Sequence, residues 1–225
     1  MKKVQAAELY LRLAELNPDP EGELEWTSPY TLLVAVALSA QATDVSVNLA
    51  TRKLFKVADT PEKMLELGEE GVRKHIKTIG LFNTKAKNLL LMASQILERH
   101  GGEVPADPDA LEQLAGVGRK TANVVLNIAF GLPTIAVDTH VFRVANRTGL
   151  APGKTPLEVE RKLQKVTPAA YMHHAHHWLI LHGRYICKAR APECWRCAIV
   201  DLCRFRDKKL IPPKSRSTGS AVQGQ

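Results

Sequence analysis

A lysine and a threonine follow two closely spaced glycines in LAGVGRKTA, residues 114–122, and these residue types occur in phosphate-binding loops. A nucleotide-binding P-loop has its lysine directly after the last glycine. Here Arg119 follows Gly118, and Lys120 comes one position later. The preceding DPDALEQL predicts a capped helix, whereas a P-loop follows a buried strand. We therefore expect no nucleotide cofactor.

The same stretch predicts two helices joined by a tight turn. Gly116 and Gly118 permit positive φ and let a phosphate approach the bare backbone closely. The N–H groups from Arg119 onward, where the second helix begins, attract such a phosphate with help from the helix dipole. The turn, including Val117, is therefore predicted to bind a DNA backbone without reading its sequence. Tight packing between the two helices is the alternative explanation for the glycines.

Lys120 is the candidate catalytic side chain that this stretch itself indicates. Lys120 falls in the first turn of the second helix, where the dipole disfavours an ammonium, and we expect it to be partly buried. Both conditions favour a nucleophilic amine, although an ordinary phosphate contact is the alternative. Asp138 precedes THVFRV and predicts a helix N-cap.

Four cysteines lie close together in CKARAPECWRCAIVDLC, separated by six, two and five residues. Because the N-terminus shows no secretion signal, we do not expect disulfides. Four thiolates in so short a span suit zinc or an iron–sulfur cluster, and the single CxxC pair favours the cluster. The histidines of HHAHH at 173–177 lack the HExxH spacing, so no separate metal site is expected there. The candidate metal ligands are Cys187, Cys194, Cys197 and Cys203.

The charge distribution favours an anionic partner. The net charge is +8, and 10 of the 31 Lys and Arg residues lie from Arg184 to Arg216, against three acidic residues. A clustered basic face is typical of nucleic-acid binding, although a solvated helix face is an equal alternative. The longest apolar run, YTLLVAVAL, is too short to cross a bilayer. We expect a cytoplasmic protein with no membrane association.

Signals for helix starts and ends recur along the chain. Ser, Thr or Asp precedes Pro at residues 28, 60, 107, 155 and 167, and such pairs are typical of helix starts. Glycines at 68, 80, 101 and 131 follow apolar-periodic segments and predict helix ends. These patterns predict an all-α chain of roughly ten short helices.

Two segments depart from this helical pattern. PTIAVDTHVFRV contains β-branched residues that could form a strand, but we expect a short extended link into a helix. The tail at 212–225 is rich in Pro, Ser and Gly and is predicted to be disordered. Neither segment changes the all-α prediction.

The stretch LAGVGRKTANVVLNIAFGLPTIAVDTHVFRVANRTG resembles the hairpin and aspartate segment of the bacterial endonuclease III family. These proteins are DNA glycosylases of the helix-hairpin-helix superfamily. LSAQATDVSVNLATRKLF and HHWLILHGRYIC resemble the same family, and the likeness extends over nearly all of residues 2–211. Several separate motifs agree in order and spacing, which makes the resemblance specific.

The resemblance implies a two-domain architecture with a DNA groove between the domains. Residues 22–132 would form a helical barrel that contains the helix-hairpin-helix. Residues 1–21 would fold back onto residues 133–211 around the cysteine loop. The cysteine spacing matches the cluster loop of the family, so the resemblance implies a [4Fe-4S] cluster.

The resemblance also implies the reaction, with Lys120 as the nucleophile and Asp138 as the catalytic aspartate. A lysine nucleophile implies a bifunctional enzyme, both a DNA glycosylase and an abasic-site lyase, whereas a monofunctional relative would use water. The expected substrate is duplex DNA that carries oxidised pyrimidines of the thymine glycol type. We expect a monomer associated with the nucleoid. The alternative is a non-catalytic hairpin module that binds DNA and senses redox state through its cluster.

Further residues are assigned to DNA by the resemblance. Gln41 would fill the space of the flipped base, and Leu81 would act as an apolar wedge in the opposing strand. If the resemblance is set aside, the favoured interpretation of Gln41 is a polar residue at a helix end. The favoured interpretation of Leu81 is then a core contact after a helix. Ser39 and Asp44 would line the base pocket. The other expected DNA contacts are Thr139, His140, Lys188 and Arg190.

Overall fold

The structure, a computed structural model, describes residues 1–213. These residues form ten α-helices and two short 3-10 turns, and they contain no β-strand. The all-α prediction is therefore confirmed. The helices are α1 (Lys3–Leu16), α2 (Pro29–Leu38), α3 (Asp44–Leu54), α4 (Pro61–Ile76), α5 (Phe82–His100), α6 (Pro108–Glu112), α7 (Arg119–Phe130), α8 (Thr139–Thr148), α9 (Pro156–Val166) and α10 (Met172–Tyr185).

Four of the five proline pairs begin an α-helix, as predicted. In each of the four, the side chain before proline accepts a hydrogen bond from a backbone N–H of the first turn, and proline occupies a position that needs no partner. The capping residues are Ser28, Thr60, Asp107 and Thr155. The fifth pair, Thr167–Pro168, precedes a 3-10 turn that leads into α10.

Three of the glycines predicted to end helices do so. Gly101 and Gly131 end α5 and α7 in the left-handed conformation. Gly68 has φ 67° and ψ 171°, so the helical conformation stops there, and α4 consists of two helical segments that meet at a kink at this glycine. Gly80 falls in the turn between α4 and α5.

The buried apolar side chains form two separate clusters. The first lies among α2 to α7 and includes Leu33, Ile76 and Met92. The second joins α1 to α8, α9 and α10. The chain crosses between the clusters at residues 135–136, since Ile135 packs in the second and Ala136 in the first. On this basis we propose the division into 22–132 and 1–21 with 133–211.

Helix α1 is attached to the second cluster at both of its ends. The amino group of Met1 donates to the Gly149 carbonyl at 2.7 Å. The Trp178 indole N–H donates to the Asn17 carbonyl at 2.8 Å. Between these points, Tyr10 is buried. These contacts attach the start of the chain to the end of α8 and to α10.

The segment between α7 and α8 is an extended link, as expected, and no strand forms there. The Asn127 side-chain amide donates to the Leu132 and Thr134 carbonyls, each at 3.2 Å. The Thr134 hydroxyl donates to the Asn123 carbonyl at 2.6 Å. These bonds fix the direction in which the chain enters α8.

Two expectations concern the ends and the surface of the chain. The tail predicted to be disordered lies, apart from residues 212 and 213, outside the described residues. Across residues 1–213, every helix is too short or too polar to cross a membrane.

Candidate active site and DNA-binding surface

The predicted hairpin consists of α6, a turn at 113–118, and α7. Gly116 has φ 78°, and a Cβ at this position would lie 3.1 Å from the Asn88 side chain of α5, so the turn requires glycine. Gly118 has φ −105°, so this glycine does not use the positive φ that its residue type permits. It is the N-cap of α7, and the space next to its Cα is open.

The start of α7 has backbone N–H groups that are available to bind an anion. No side chain caps this helix, so the first N–H groups lack a partner within it. The helix dipole adds a positive field at the same place. Val117 is buried, and its N–H donates to the Leu114 carbonyl at 3.1 Å. A phosphate can therefore reach the backbone from Gly118 onward, but it cannot contact the Val117 side chain.

Arg119 is already engaged by protein carboxylates. Its guanidinium donates to both oxygens of Glu160 in α9, with Nη2 to Oε1 at 2.7 Å, and its Nη1 lies 3.5 Å from Glu112. The Glu160 side chain is only 5% exposed. These bonds hold the Arg119 side chain against α9, so its N–H group is the part that faces the predicted phosphate.

Lys120 and Asp138 lie on different helices but line the same open cleft of about 710 Å³. The first turn of α7 presents Lys120, and Asp138 is the N-cap of α8. Lys120 is exposed, so the expectation of partial burial is wrong. The exposed amine is accessible to a molecule bound in the cleft.

Asp138 caps α8, as its sequence context predicts. Its Oδ1 accepts a hydrogen bond from the Val141 N–H at 2.8 Å. This bond uses one carboxylate oxygen and fixes the orientation of the group. The second oxygen is left for the cleft that Lys120 also lines.

The next two residues of α8 lie at the edge of the same cleft. Thr139 is exposed, whereas His140 is half-buried. The His140 Nδ1 lies 3.2 Å from the Arg143 guanidinium. A Cβ on Gly183 of α10 would lie only 2.8 Å from the His140 Cβ, so α8 and α10 approach closely here. His140 is thus packed between two helices with its edge towards the cleft.

Gln41 and Leu81 are both exposed, and both have an uncommon backbone conformation. Their φ angles are 55° and 60°, in the left-handed region that non-glycine residues rarely adopt. For a leucine this conformation costs about 1–2 kcal/mol. The Leu81 side chain is 62% exposed, so burial in the core does not offset that cost. The alternative reading of Leu81 as a core contact is therefore wrong.

Ser39 and Asp44 lie at the inner end of the cleft, next to a residue that the sequence analysis missed. The Asp44 carboxylate accepts a hydrogen bond from Arg184 of α10 at 2.6 Å, and the same nitrogen donates to Glu23 at 2.5 Å. Burial lowers the pKa of Arg184, but the hydrogen bond to Asp44 and the negative charges of Asp44, Glu23 and Asp138 together outweigh burial, so the pKa lies above its ordinary value. The Ser39 hydroxyl donates to the Val36 carbonyl at 2.8 Å.

His176 is a second residue that the sequence analysis missed. It lines an inner pocket of about 100 Å³ together with Lys120. Its Nδ1 donates to the Ala136 carbonyl at 2.9 Å, so a neutral ring has its acceptor at Nε2. Burial lowers the pKa of His176, which outweighs the opposing effect of the Asp138 carboxylate. Only the position of α10 against the 135–138 link could have identified this residue.

The four cysteines are half-buried and line one small pocket with apolar neighbours that include Ile199. Burial raises the pKa of Cys197 to about 11, and burial also raises the pKa of Cys203. The Phe205 N–H lies 3.4 Å from the Cys203 sulfur, and an Arg147 nitrogen lies 3.7 Å from the Cys187 sulfur. Donors directed at sulfur suit an iron–sulfur cluster. Within residues 1–213, no group of His, Cys, Asp or Glu is arranged to hold a single metal ion.

The cysteine loop is fixed to α8 by two arginines, Arg143 and Arg147. The Arg143 side chain donates to the Cys187 carbonyl at 2.9 Å, and Arg147 donates to the Lys188 carbonyl at 2.7 Å. Lys188 itself donates to Glu193 at 2.5 Å, so part of its charge is neutralised. Arg190 is exposed. The two predicted phosphate contacts of the loop are therefore not equivalent.

Comparison with known proteins agrees with this geometry. Residues 34–169 match the family model described as HhH-GPD superfamily base excision DNA repair protein. The chain is 62% identical over 208 residues to endonuclease III of Escherichia coli strain K12, covering 92% of this chain and 99% of the relative. It is 58% identical over 208 residues to endonuclease III of Haemophilus influenzae, with the same coverage.

Solved structures show the same likeness. A structure of a trapped covalent intermediate of endonuclease III with DNA superimposes with a TM-score of 0.85 at 43% identity, covering 91% of this chain and 96% of that one. A thermostable thymine-DNA glycosylase superimposes with a TM-score of 0.79 at 26% identity, covering 90% of this chain and 95% of that one. This chain belongs to the endonuclease III family, within the HhH-GPD superfamily of base excision DNA repair proteins.

Proposed function

We propose that this member of the family removes oxidised pyrimidines, of the thymine glycol type, from duplex DNA and then nicks the strand. It is an enzyme, a DNA glycosylase and abasic-site lyase, with Lys120 as the proposed nucleophile. The observation that carries this assignment is that Lys120 and Asp138, from separate helices, line one cleft. The relatives with solved DNA complexes, one of them a trapped covalent intermediate, support it.

The proposed reaction begins with attack of the Lys120 amine on C1′ of the damaged nucleotide. The N-glycosidic bond breaks, and the base leaves with the bonding electron pair and takes up a proton. The attached nitrogen gives up one proton, and O4′ takes up a proton as the sugar ring opens, which leaves a protonated iminium at C1′. The iminium makes the C2′ proton acidic. Loss of that proton expels the 3′ phosphate and nicks the strand.

Asp138 is the proposed electrostatic partner of this reaction. Positive charge builds up on the deoxyribose as the glycosidic bond breaks, and a fixed carboxylate stabilises it. The hydrogen bond from Val141 to Oδ1 holds the group in place. The other oxygen can accept a proton from the Lys120 ammonium. Capping and catalysis therefore use different oxygens of one side chain.

The damaged base must leave the helical stack before Lys120 can reach C1′. We propose that Gln41 enters the space left by the base and that Leu81 separates the opposing bases. Their exposure supports this role, because an uncovered leucine has apolar surface available for a base step. Ser39 and Asp44 are proposed to contact the flipped base, since they line the inner part of the cleft.

Phosphate groups would be held at two places. The uncapped start of α7, from Gly118 through Arg119, would bind one phosphate through backbone N–H groups, with Gly116 shaping the turn. Thr139 and His140 at the start of α8 are proposed to bind another part of the backbone. Lys188 and Arg190 of the cysteine loop would add charge.

We propose that the four cysteines hold a [4Fe-4S] cluster. Their shared pocket and the donors directed at two of the sulfurs support this assignment. When bound, the cluster supplies a rigid fold for the loop. The residues of the loop then hold Lys188 and Arg190 towards DNA, and no step of the reaction requires the cluster. We also propose that the enzyme acts as a monomer on nucleoid DNA without a nucleotide cofactor.

Borohydride trapping tests the proposed function. Wild type and Lys120→Ala are mixed with duplexes that contain thymine glycol, an abasic site, a G:T mismatch, or adenine opposite oxidised guanine. We expect a covalent adduct on the thymine glycol duplex that is lost in Lys120→Ala, because borohydride reduces the iminium.

Other outcomes of the trapping experiment are equally informative. An adduct on the abasic duplex alone would retain the lyase and overturn the lesion assignment. An adduct on the G:T duplex would favour a mismatch enzyme. Binding without any adduct would favour the non-catalytic DNA-binding module.

A further inference from the structure

Gln41 and Leu81 are the only two non-glycine residues with positive φ among residues 1–213. Such a conformation persists only where the surrounding structure holds it, and it occurs often at functional sites. Gly80, next to Leu81, lies against the Gln41 carbonyl, since a Cβ on Gly80 would be 4.0 Å from that oxygen. The turn at Gln41 and the turn at Leu81 are therefore neighbours, and a single residue could fix the position of both turns.

Lys85 provides such a contact. Its side chain is 8% exposed, and its ammonium donates to the Leu38 carbonyl at 2.9 Å and the Ala40 carbonyl at 2.7 Å. Burial lowers the pKa of Lys85, and no carboxylate within residues 1–213 opposes that effect. The two acceptors belong to the end of α2 and to the residue before Gln41. A cation here satisfies carbonyls that have no partner in the helix.

The backbone of Lys85 is attached to the second turn. Its N–H donates to the Leu81 carbonyl at 3.0 Å, in the first turn of α5. One residue thus contacts the Leu81 turn through its main chain and the Gln41 turn through its side chain. A change in the position of its ammonium would shift one turn relative to the other.

The same face of α5 also contacts the hairpin. Asn88, one turn after Lys85, lies against Gly116. Further along, the Gln95 side chain accepts a hydrogen bond from the Ala115 N–H at 2.8 Å. Helix α5 is therefore the common support of all three turns proposed to touch DNA, and Lys85 is its contact with the Gln41 turn.

We propose that Lys85 is a positioning residue that sets the spacing between the two DNA wedges, Gln41 and Leu81. It does not touch DNA or the reacting atoms. This inference rests on the proposed function, because it assumes that Gln41 and Leu81 enter the duplex. A duplex substrate needs both wedges at once, whereas a single strand has no opposing base to separate.

The test compares single-turnover reactions of Lys85→Met, which keeps the stem and removes the charge, on two substrates. We expect excision from a thymine glycol duplex to slow about tenfold, since small misplacements at a site commonly have effects of that size or larger. We expect β-elimination on a single-stranded abasic oligonucleotide to stay within about twofold of wild type, because chemistry at Lys120 is unaffected. Lys87→Met, the same change at an exposed position of α5, should match wild type on both substrates.

A fluorescent base distinguishes positioning from a loss of folded protein. With 2-aminopurine opposite the lesion, entry of Leu81 unstacks the probe and raises its fluorescence. We expect Lys85→Met to reduce that rise and Lys87→Met to leave it intact. Rates are normalised to the fraction of enzyme that can be trapped on the single strand. Lys85→Gln, which keeps uncharged N–H donors, gives a second variant if Lys85→Met does not fold.

The Gln41→Ala and Leu81→Ala variants separate this inference from the proposed function. If Gln41→Ala and Leu81→Ala both slow duplex excision but Lys85→Met does not, Lys85 has no positioning role. The assignment of Gln41 and Leu81 as wedges would still hold. If neither slows duplex excision, the wedge assignment itself is wrong. In a Gln41→Ala/Leu81→Ala background, we expect Lys85→Met to have no additional effect. A further loss in that background would show that Lys85 acts elsewhere.

Discussion

The Asp138 side chain has two proposed roles, and a different carboxylate oxygen serves each role. Oδ1 caps α8 through the Val141 N–H, and the remaining oxygen is available to the sugar. Asparagine caps a helix about as well as aspartate but carries no charge. The two roles can therefore be separated by mutation.

Asp138→Asn is expected to lose activity without losing stability. Excision in single-turnover assays should fall by about 10²–10³-fold, the effect of removing one fixed transition-state contact. The free energy of unfolding should change by less than about 0.5 kcal/mol, because the cap is kept. Asp138→Ala should lose activity as well and about 1 kcal/mol of stability. Wild-type excision by Asp138→Asn would remove the carboxylate from the proposed mechanism.

Two basic side chains of the cysteine loop, Lys188 and Arg190, are not equally available to DNA. Arg143 and Arg147 of α8 donate hydrogen bonds to the backbone of the loop. These bonds fix the position of its first residues, Cys187 and Lys188. Within residues 1–213, Glu193 pairs with Lys188 and no carboxylate pairs with Arg190. Arg190 should therefore contribute more than Lys188 to the electrostatic attraction of a DNA phosphate.

Arg190→Met is expected to weaken binding to undamaged duplex DNA and to reduce the slope of log affinity against log salt by about one. Lys188→Met is the matched control and should change the slope less, since Glu193 already offsets that charge. Protein from which iron has been removed should lose affinity as Arg190→Met does. Unchanged affinity of the iron-free protein would refute the positioning role of the cluster.

At the scale of the whole molecule, the two apolar clusters meet at the cleft, and each supplies part of the site. Helix α7 of the first cluster carries Lys120, and α8 of the second carries Asp138. Three ion pairs join the two halves: Arg119 pairs with Glu160, and Arg184 pairs with both Asp44 and Glu23. The distance between nucleophile and carboxylate therefore depends on contacts between the two halves.

Arg119→Met is expected to destabilise the protein by about 1–3 kcal/mol, because it leaves the buried Glu160 carboxylate without a partner. Arg119→Met/Glu160→Met should recover most of that loss, since replacement of both partners by apolar groups is often neutral. Arg161→Met on the exposed face of α9 is the control and should have little effect. Urea unfolding measures all three variants. A double variant as unstable as the single one would contradict this account.

The sequence by itself determined where most of the helices begin and end, and it indicated the candidate chemistry-bearing side chains. Capping pairs, helix-ending glycines and apolar periodicity act within a few residues, so they can be read locally. Asp138 as an N-cap, the hairpin turn at Gly116 and the cysteine spacing are all of this kind.

Only the tertiary structure decided which side chains face each other. Arg184, His176 and Lys85 lie far in sequence from the residues they contact, and nothing local marks their partners. The exposure of Lys120 and the pairing of Arg119 with Glu160 likewise depend on how α7 packs against α9. Burial and ion pairing are properties of packed surfaces, and packing brings together residues whose spacing along the chain carries no periodic signal.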